Sequence, residues 1–163
     1  MTEQKSADSQ SKQLVLQKIY VKDFSFESPK VPEIFSTDMA PQTELNIKSV
    51  SKEVGKDAQE VALTLTVEAK DKDQVLFVVE LEQAGVFIMQ GYTKEEKEML
   101  IGSYCPNALY PFAREAISDM VTRGGFPQLL LQPINFDALY AKAVQERLQE
   151  KGEQETDPLK STH

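Results

Sequence analysis

The sequence predicts an α+β fold, in which a four-stranded antiparallel sheet carries helices packed on one face. Two observations favour this class: four strand-like stretches occupy the first half of the chain, and helical periodicity occupies most of the second half. The 163 residues are enough for one domain with a real core. We therefore expect a disordered N-terminal arm (residues 1–13), a single domain (residues 14–151) and a flexible polar C-terminal tail (residues 152–163).

The first predicted strand has two unlike faces. In its second half, Tyr20, Phe24 and Phe26 share one parity, whereas Asp23 and Glu27 belong to the other. Because side chains alternate across a strand, we expect the aromatic rings on one face of the sheet and the carboxylates on the opposite face.

An apolar loop follows this strand in place of a tight turn. Residues 28–41 contain three prolines, which interrupt strand pairing, but they also contain four large apolar side chains. These are Val31, Ile34, Phe35 and Met39. Loops of more than about a dozen residues are usually functional or disordered, and apolar loops are seldom disordered. We expect this loop to form one wall of a surface groove.

Three more strands are predicted: a short one around Ile47, a regular one over residues 61–68 and a third over residues 75–81. The third is apolar on both parities as far as Val79, which indicates that both of its faces are covered. Such cover is expected where the sheets of two subunits stack. Beyond this strand, the chain is predicted to leave the sheet through two glycines, Gly85 and Gly91.

Two helices are then predicted. Thr93 and Glu96 form a T-x-x-E capping box, which marks a helix start. The second helix can begin with Pro106 in its first turn, but Pro111 must either kink it or move its start forward. Its apolar residues recur at steps of three and four and predict a buried stripe. The stripe consists of Leu109, Phe112, Ala113, Ala116, Ile117, Met120 and Val121. A lone subunit would expose the two-sided strand and the apolar side of the capped helix, so we expect a homotetramer.

An extended ribbon separates these helices from a last one. Gly124 and Gly125 are typical of a helix C-cap, and residues 126–133 run between two prolines that rule out a helix. The last helix is predicted to begin at Asn135 and to end near Gly152. We expect the ribbon to face the apolar loop across a groove. The predicted groove residues on this side are Leu129, Leu130 and Leu131, with Tyr140 at one end.

The composition argues against several classes of function. With 26 acidic and 18 basic side chains the net charge is −8, which is unfavourable for binding nucleic acid. The single cysteine and the single histidine, which is the last residue, leave almost no ligands for a metal site and no oriented base for nucleophilic catalysis. No stretch is long and apolar enough to be a membrane span or a signal peptide. We expect a cytoplasmic protein without cofactor or catalytic site, in which Cys105 is a buried, reduced thiol.

Several segments together resemble the SecB family of bacterial protein-export chaperones. The most specific are CPNALYPFARE and FPQLLLQPINFDAL, and the similarity also includes IYVKDFSFESP, the proline-rich loop and VVELEQAGVF. It extends from Leu14 to Leu148. The resemblance implies an ATP-independent holdase that tetramerises as a dimer of dimers, keeps precursor proteins unfolded and delivers them to the SecA ATPase.

The resemblance also implies a second site. In the SecB family, the basic C-terminal zinc-binding segment of SecA docks on acidic and apolar groups of the sheet. By their positions in the motifs, the equivalent residues here are Asp23 and Glu27 in KDFSFE, with Val78 and Glu80 in VVELE. Val78 stands where leucine is expected, which weakens only the apolar part of that contact.

Three classes of function remain to be compared. The first is a binding protein for unfolded polypeptide, which the two apolar, proline-marked segments favour. The second is an enzyme that uses a pair of carboxylates. The third is a structural or scaffolding oligomer whose apolar segments are buried against each other. Suppressing the aggregation of an unfolded protein without nucleotide is expected of the first class only.

Overall fold

The architecture is an α+β domain in which the helices pack on one face of a single antiparallel sheet. This computed structural model describes residues 11–155. The elements are β1 (Gln13–Glu27), β2 (Gln42–Gly55), β3 (Ala58–Asp71), β4 (Gln74–Gln90), α1 (Lys94–Met99), α2 (Cys105–Arg123) and α3 (Phe136–Glu155). One turn of π-helix, Leu100–Tyr104, joins α1 to α2. The predicted fold class is therefore confirmed for the single chain.

The two predicted tails fall mostly outside the described part of the chain. Residues 1–10 and 156–163 are not described. Of the predicted N-terminal arm, Gln13 is already the first residue of β1. Of the predicted C-terminal tail, Gly152 to Glu155 still belong to α3, so this helix passes its predicted end. Among residues 11–155, no helix combines the length and the apolar character needed to cross a membrane.

The strand order explains why the apolar loop is long. The order across the sheet is β1-β4-β3-β2, with all three pairs antiparallel. Tight turns join β2 to β3 and β3 to β4, whereas β1 and β2 lie at opposite edges, as in a Greek key. Residues 28–41 must therefore cross the end of the sheet, past β4 and β3. This crossing carries Ile34 into the core, where it is 4% exposed.

Two β-bulges in β1 change which side chains share a face. The register shifts between Leu16 and Lys18 and again between Val21 and Asp23. As a result Tyr20 pairs with Ala84, whereas Phe24 pairs with Leu81. Ala84 and Leu81 are an odd number of positions apart on β4, so their side chains lie on opposite faces of the sheet. Tyr20 and Phe24 thus point to opposite faces. The prediction that Tyr20 lies with Phe24 and Phe26 is wrong, because one extra residue in a strand reverses the alternation.

We call the face that packs against α2 the inner face and the opposite one the outer face. The inner face carries the core residues of β3 and β4. Its fully buried side chains include Val61, Leu63, Leu65, Val67, Val79, Leu81, Phe87 and Met89. These are the odd-numbered positions of both strands, which is the period-two pattern that the sequence predicts for β3.

β4 is longer than predicted. It continues through Gly85 to Gln90 instead of leaving the sheet there. A Cβ on Gly85 would lie 2.9 Å from Cδ1 of Leu16 and 3.1 Å from Cδ2 of Leu109. The glycine therefore marks a close approach of neighbouring side chains within the strand, not a turn.

The start of β4 is buried mainly through its contribution to the core. Leu76, Phe77 and Val79 are all buried in the single subunit. They belong to one core cluster together with Ile34 of the crossing loop. Val78, on the outer face, is only half-buried, so the predicted cover of both faces is not complete in the single chain.

The stripe of α2 is narrower than its sequence suggests. Leu109, Ala113, Ile117 and Val121 are fully buried at steps of four, and the helix runs unbroken through Pro111. Phe112, which is expected in the core, is 48% exposed. It precedes Ala113 by one position, so its side chain lies to one side of the line along which α2 contacts the sheet. That expectation is wrong, although Phe136, at the start of α3, is buried at 4% exposure.

The helix ends follow the sequence signals closely. Thr93 Oγ1 accepts from the backbone N–H of Glu96, and the Glu96 carboxylate accepts from that of Thr93, as predicted for a capping box. At the end of α2, the N–H of Gly125 donates to the carbonyl of Thr122 and that of Phe126 donates to Val121. This is the Schellman pattern, with Gly125 at φ +87°.

Candidate functional site

The apolar loop and the ribbon meet at a cluster of four aromatic rings. Phe126, the first ribbon residue, lies 5.0 Å from Phe77 and 5.4 Å from Phe35 between ring centroids. Phe26 completes the set at 5.8 Å from Phe77. Phe77 and Phe126 are buried, whereas Phe35 is 45% exposed. We call these four residues the aromatic cluster; Phe35 is its outermost ring.

Two glycines make room for this cluster. A Cβ on Gly125 would approach the Phe35 ring to 2.9 Å, and a Cβ on Gly124 would overlap the ring of Phe26. The pair that caps α2 therefore also lets two rings lie directly against the backbone. Sequence reasoning identified the cap and missed this second role, because it depends on which side chains approach from the loop and from β1.

The remaining loop residues differ in exposure. Val31 is exposed and Met39 is half-buried, whereas Ile34 lies in the core. The carbonyl of Ile34 accepts a hydrogen bond of 2.9 Å from Thr37 Oγ1, which holds the short turn around it. Of the four predicted loop residues, Val31 and Phe35 therefore offer the most exposed apolar surface. Ile34 fixes the loop to the core.

The ribbon shows a similar division. Leu130 is 64% exposed, Leu129 is half-buried and Leu131 is 8% exposed. The hydroxyl of Tyr110 donates to the carbonyl of Gln132 at 2.5 Å, which ties the ribbon to α2. Leu131 thus anchors the ribbon, and Leu130 is its open residue.

Leu130 and Tyr140 border different clefts. Leu130 lines an open cleft of about 580 Å³ against α2, beside Arg114 and Asp119. Tyr140 lines one of about 590 Å³ between β2 and α3, with its ring against Gly102. The structure therefore brings the loop and the ribbon together at the aromatic cluster and places Tyr140 in a separate cleft.

The four predicted acidic-site residues lie together on the outer face. Asp23 and Glu27 are on β1, and Val78 and Glu80 are on the adjacent β4. Glu27 pairs directly with Val78, and the neighbour of Glu80 in the ladder is Ser25. The three carboxylates are exposed, and Val78 between them is half-buried.

Two further carboxylates extend this patch. Glu82 pairs with Asp23, and Glu68 of β3 pairs with Val78 from the other side. Sequence reasoning did not place them in the site, because the relevant signal is the strand register. We call the patch the acidic face; its residues are Asp23, Glu27, Glu68, Glu80 and Glu82 around Val78.

A polar network adjoins the acidic face. Tyr20 on β1 reaches across Ala84 of β4 and donates its hydroxyl proton to Glu60 Oε2 on β3. Lys22 Nζ lies 3.0 Å from the other oxygen, Oε1, and Lys52 Nζ lies 3.8 Å from it. The hydrogen bonds from Tyr20 and Lys22 lower the pKa of Glu60, and burial together with the bond to Glu60 raises the pKa of Tyr20 to about 12.

Cys105 has the environment of a structural thiol. It is fully buried at the start of α2, and burial raises its pKa to about 12. Because the reactive form of cysteine is the thiolate, a thiol of this kind is inert at neutral pH. The expectation of a buried thiol is confirmed.

Comparisons of the whole chain agree on one family. Residues 7–147 match the model of the family described as "Preprotein translocase subunit SecB". The Protein-export protein SecB of Nitrosococcus oceani is 50% identical over 147 residues, which cover 89% of this chain and 90% of that one. Its counterpart in Ectopseudomonas mendocina is 47% identical over 158 residues, covering 94% of this chain and 98% of that one.

A solved structure shares the fold. A SecB-like chaperone from Mycobacterium tuberculosis, in complex with a ChAD peptide from the HigA1 antitoxin, has a TM-score of 0.64 to this structure. It is 18% identical in sequence, and the match covers 74% of this chain and 90% of that one.

Proposed function

The chain belongs to the SecB family of protein-export chaperones, and from that premise we propose that it is an ATP-independent holdase. In this proposal it binds unfolded precursor proteins in the cytoplasm, keeps them competent for translocation and delivers them to SecA. It works without a cofactor and performs no catalysis.

The observation that carries the client-binding part is the half-exposed Phe35. A large apolar ring held at the surface by a buried cluster is a preformed contact for an apolar segment, because its position costs little further ordering on binding. Val31 on the same loop and Leu130 on the ribbon add open apolar surface. Ile34 and Leu131 support the two segments from the core.

Holding a client requires many weak contacts. Each 100 Å² of apolar surface removed from water contributes about 2.5 kcal/mol before ordering costs, so one small patch binds weakly. We propose a homotetramer, built as a dimer of dimers, in which four subunits hold one long chain through effective concentration. Each contact then remains easy to break when the client is passed on.

For transfer to SecA, we propose the acidic face as the docking site of the basic C-terminal zinc-binding segment. Asp23, Glu27 and Glu80 supply exposed negative charge around Val78, which supplies a small apolar contact. Since this surface is on the outer face, it is separate from the aromatic cluster, so a client and SecA can be bound together.

The acidic face is tested by Asp23→Ala combined with Glu80→Ala. The double variant should weaken binding of a zinc-loaded SecA segment peptide in a titration and leave aggregation suppression unchanged, because it removes charge from the outer face only. A matched control is Glu53→Ala with Glu150→Ala, which removes the same charge from exposed positions elsewhere. Equal loss of both activities would show that the two sites are one.

The alternative is a structural or scaffolding oligomer whose apolar segments are buried against each other. The observation in its favour is that Ile34 and Leu131 already belong to the core of the single chain. Such an oligomer would not suppress aggregation of an unfolded protein.

A further inference from the structure

A lysine lies beside the acidic face. The second bulge of β1 falls between Val21 and Asp23, so Lys22 has no partner residue on β4. Bulges redirect side chains, and this one places Lys22 on the outer face next to Asp23, which pairs with Glu82. Glu82 contributes to a raised pKa of Lys22, after the hydrogen bond to Glu60, so its carboxylate is close enough to attract the ammonium.

The ammonium of Lys22 is nevertheless bound elsewhere. Its Nζ lies 3.0 Å from Oε1 of Glu60, and the other oxygen of Glu60 accepts the hydroxyl proton of Tyr20. Glu60 is 9% exposed, and both of its oxygens are used. The Glu60 carboxylate is therefore fixed by two partners, of which Tyr20 is half-buried.

We propose that Glu60, held by Tyr20, is a positioning residue that keeps Lys22 away from the acidic face. We call Tyr20, Glu60 and Lys22 the clamp. While the clamp is closed, Asp23, Glu80 and Glu82 form no ion pair among residues 11–155, so their negative charge remains available to a basic partner. When Glu60 no longer holds Lys22, its ammonium pairs with the nearest of these carboxylates and neutralises that carboxylate's charge. This inference rests on the proposed docking of a basic SecA segment.

Coulomb's law supports this arrangement. The interaction energy of two charges falls with the distance between them. An ammonium bound to Glu60 therefore cancels less of the negative potential at Asp23 than an ammonium in contact with Asp23 or Glu82 would. Lys52 Nζ, at 3.8 Å from the same oxygen, adds a second cation that Glu60 holds. Both lysines are released together when Glu60 loses its charge.

The test is a double-mutant cycle that measures the Kd of a zinc-loaded SecA segment peptide at low ionic strength. Lys22→Met alone should lower the Kd by less than about twofold, because Glu60 already holds Lys22 and only its weaker, longer-range attraction to Glu82 is lost. Glu60→Gln should raise the Kd by about two- to fivefold, the range expected for one exposed charge contact. The combination should return the Kd to, or close to, that of the wild type. Lys22→Met should therefore lower the Kd by a clearly larger factor in the Glu60→Gln background than in the wild type.

A charge-preserving variant separates position from charge. Glu60→Asp keeps the carboxylate but shortens the side chain by one methylene, so the carboxylate no longer reaches Lys22 in the same way. We therefore expect it to raise the Kd, as Glu60→Gln does. If thermal unfolding shows that Glu60→Gln does not fold, Glu60→Asp with and without Lys22→Met provides the same cycle. Glu53→Gln, which removes an exposed charge on β2, is the charge-matched control and should change the Kd less.

Additive effects would overturn the clamp. If Lys22→Met strengthens binding by the same factor with and without Glu60, Lys22 is not held in the wild type. Binding by Glu60→Asp equal to wild type would likewise show that only the charge matters. If Asp23→Ala with Glu80→Ala does not weaken peptide binding, the peptide does not dock on the acidic face. The docking proposal then fails, and the role proposed for the clamp fails with it.

Discussion

At the scale of single residues, neighbours in the crossing loop have opposite environments. Ile34 is 4% exposed and Phe35 is 45% exposed, although both are large and apolar. Ile34 belongs to the core, whereas Phe35 covers the outside of Phe126 and the backbone of Gly125. Their difference makes Phe35 the residue on which client binding can be tested with little effect on the fold.

Phe35→Ala should lower the free energy of unfolding by under about 2 kcal/mol, since only part of the ring is removed from water. It should also weaken holding of an unfolded client, with the loss multiplied when several subunits hold one chain. Thermal unfolding and an aggregation-suppression assay check the two effects.

The control for this variant is Phe126→Ala. It removes the buried neighbour and should destabilise the protein by about 3 to 5 kcal/mol. A similar cost for Phe35→Ala, or unchanged client holding, would show that the loop belongs to the core and does not bind clients.

Residue environments were predictable where alternation is uninterrupted. Period two places Val61, Leu63, Leu65 and Val67 in the core, as the structure confirms. Tyr20 was assigned to the wrong face because a bulge in an edge strand leaves little trace in a single sequence. The same bulge sets the orientation of Lys22, so the clamp could not be predicted from the sequence.

At the scale of elements, the helix start signals were the most reliable. The hydrogen bonds of a cap involve residues only two or three positions apart, so the sequence contains all the information needed. Asn135 is such a case: its side-chain oxygen accepts from the N–H of Ala138 at 3.0 Å, at the predicted start of α3. The extent of β4 depended instead on long-range pairing, because residues 87–90 pair with residues 13–16 of β1.

Thr93→Ala should destabilise the domain by about 1 kcal/mol, because the N–H of Glu96 loses its acceptor at the start of α1. Denaturant unfolding at fixed protein concentration measures the difference. Glu95→Gln, in the same helical turn but outside the capping box, should cost only a few tenths of a kcal/mol. Equal costs for the two variants would show that the capping box adds nothing specific.

At the scale of the whole molecule, the loop and the ribbon are long-range partners. Phe35 and Phe126 are brought into contact by the Greek-key crossing and the end of α2. Their apolar, proline-marked sequences predicted that they face each other. The sequence did not predict that Tyr140 borders another cleft, because the path of α3 relative to β2 has no local signal.

The proposed homotetramer needs apolar surface that the single chain leaves open, and the start of β4 offers little of it, because Leu76, Phe77 and Val79 are buried. Val15 and Val50 on the edge strands, and Leu148 on α3, are exposed and offer such surface. Sedimentation at micromolar concentration should give a mass of about four chains. A stable monomer would contradict the proposal.

The central claim is that the protein holds unfolded polypeptide without using ATP. The most direct measurement is light scattering from a reduced, unfolded protein diluted into buffer with and without this chain, in the absence of nucleotide. We predict that a stoichiometric amount of the chain suppresses the scattering and that adding ATP changes nothing. Aggregation that proceeds unchanged, or suppression that appears only with ATP, would contradict the claim.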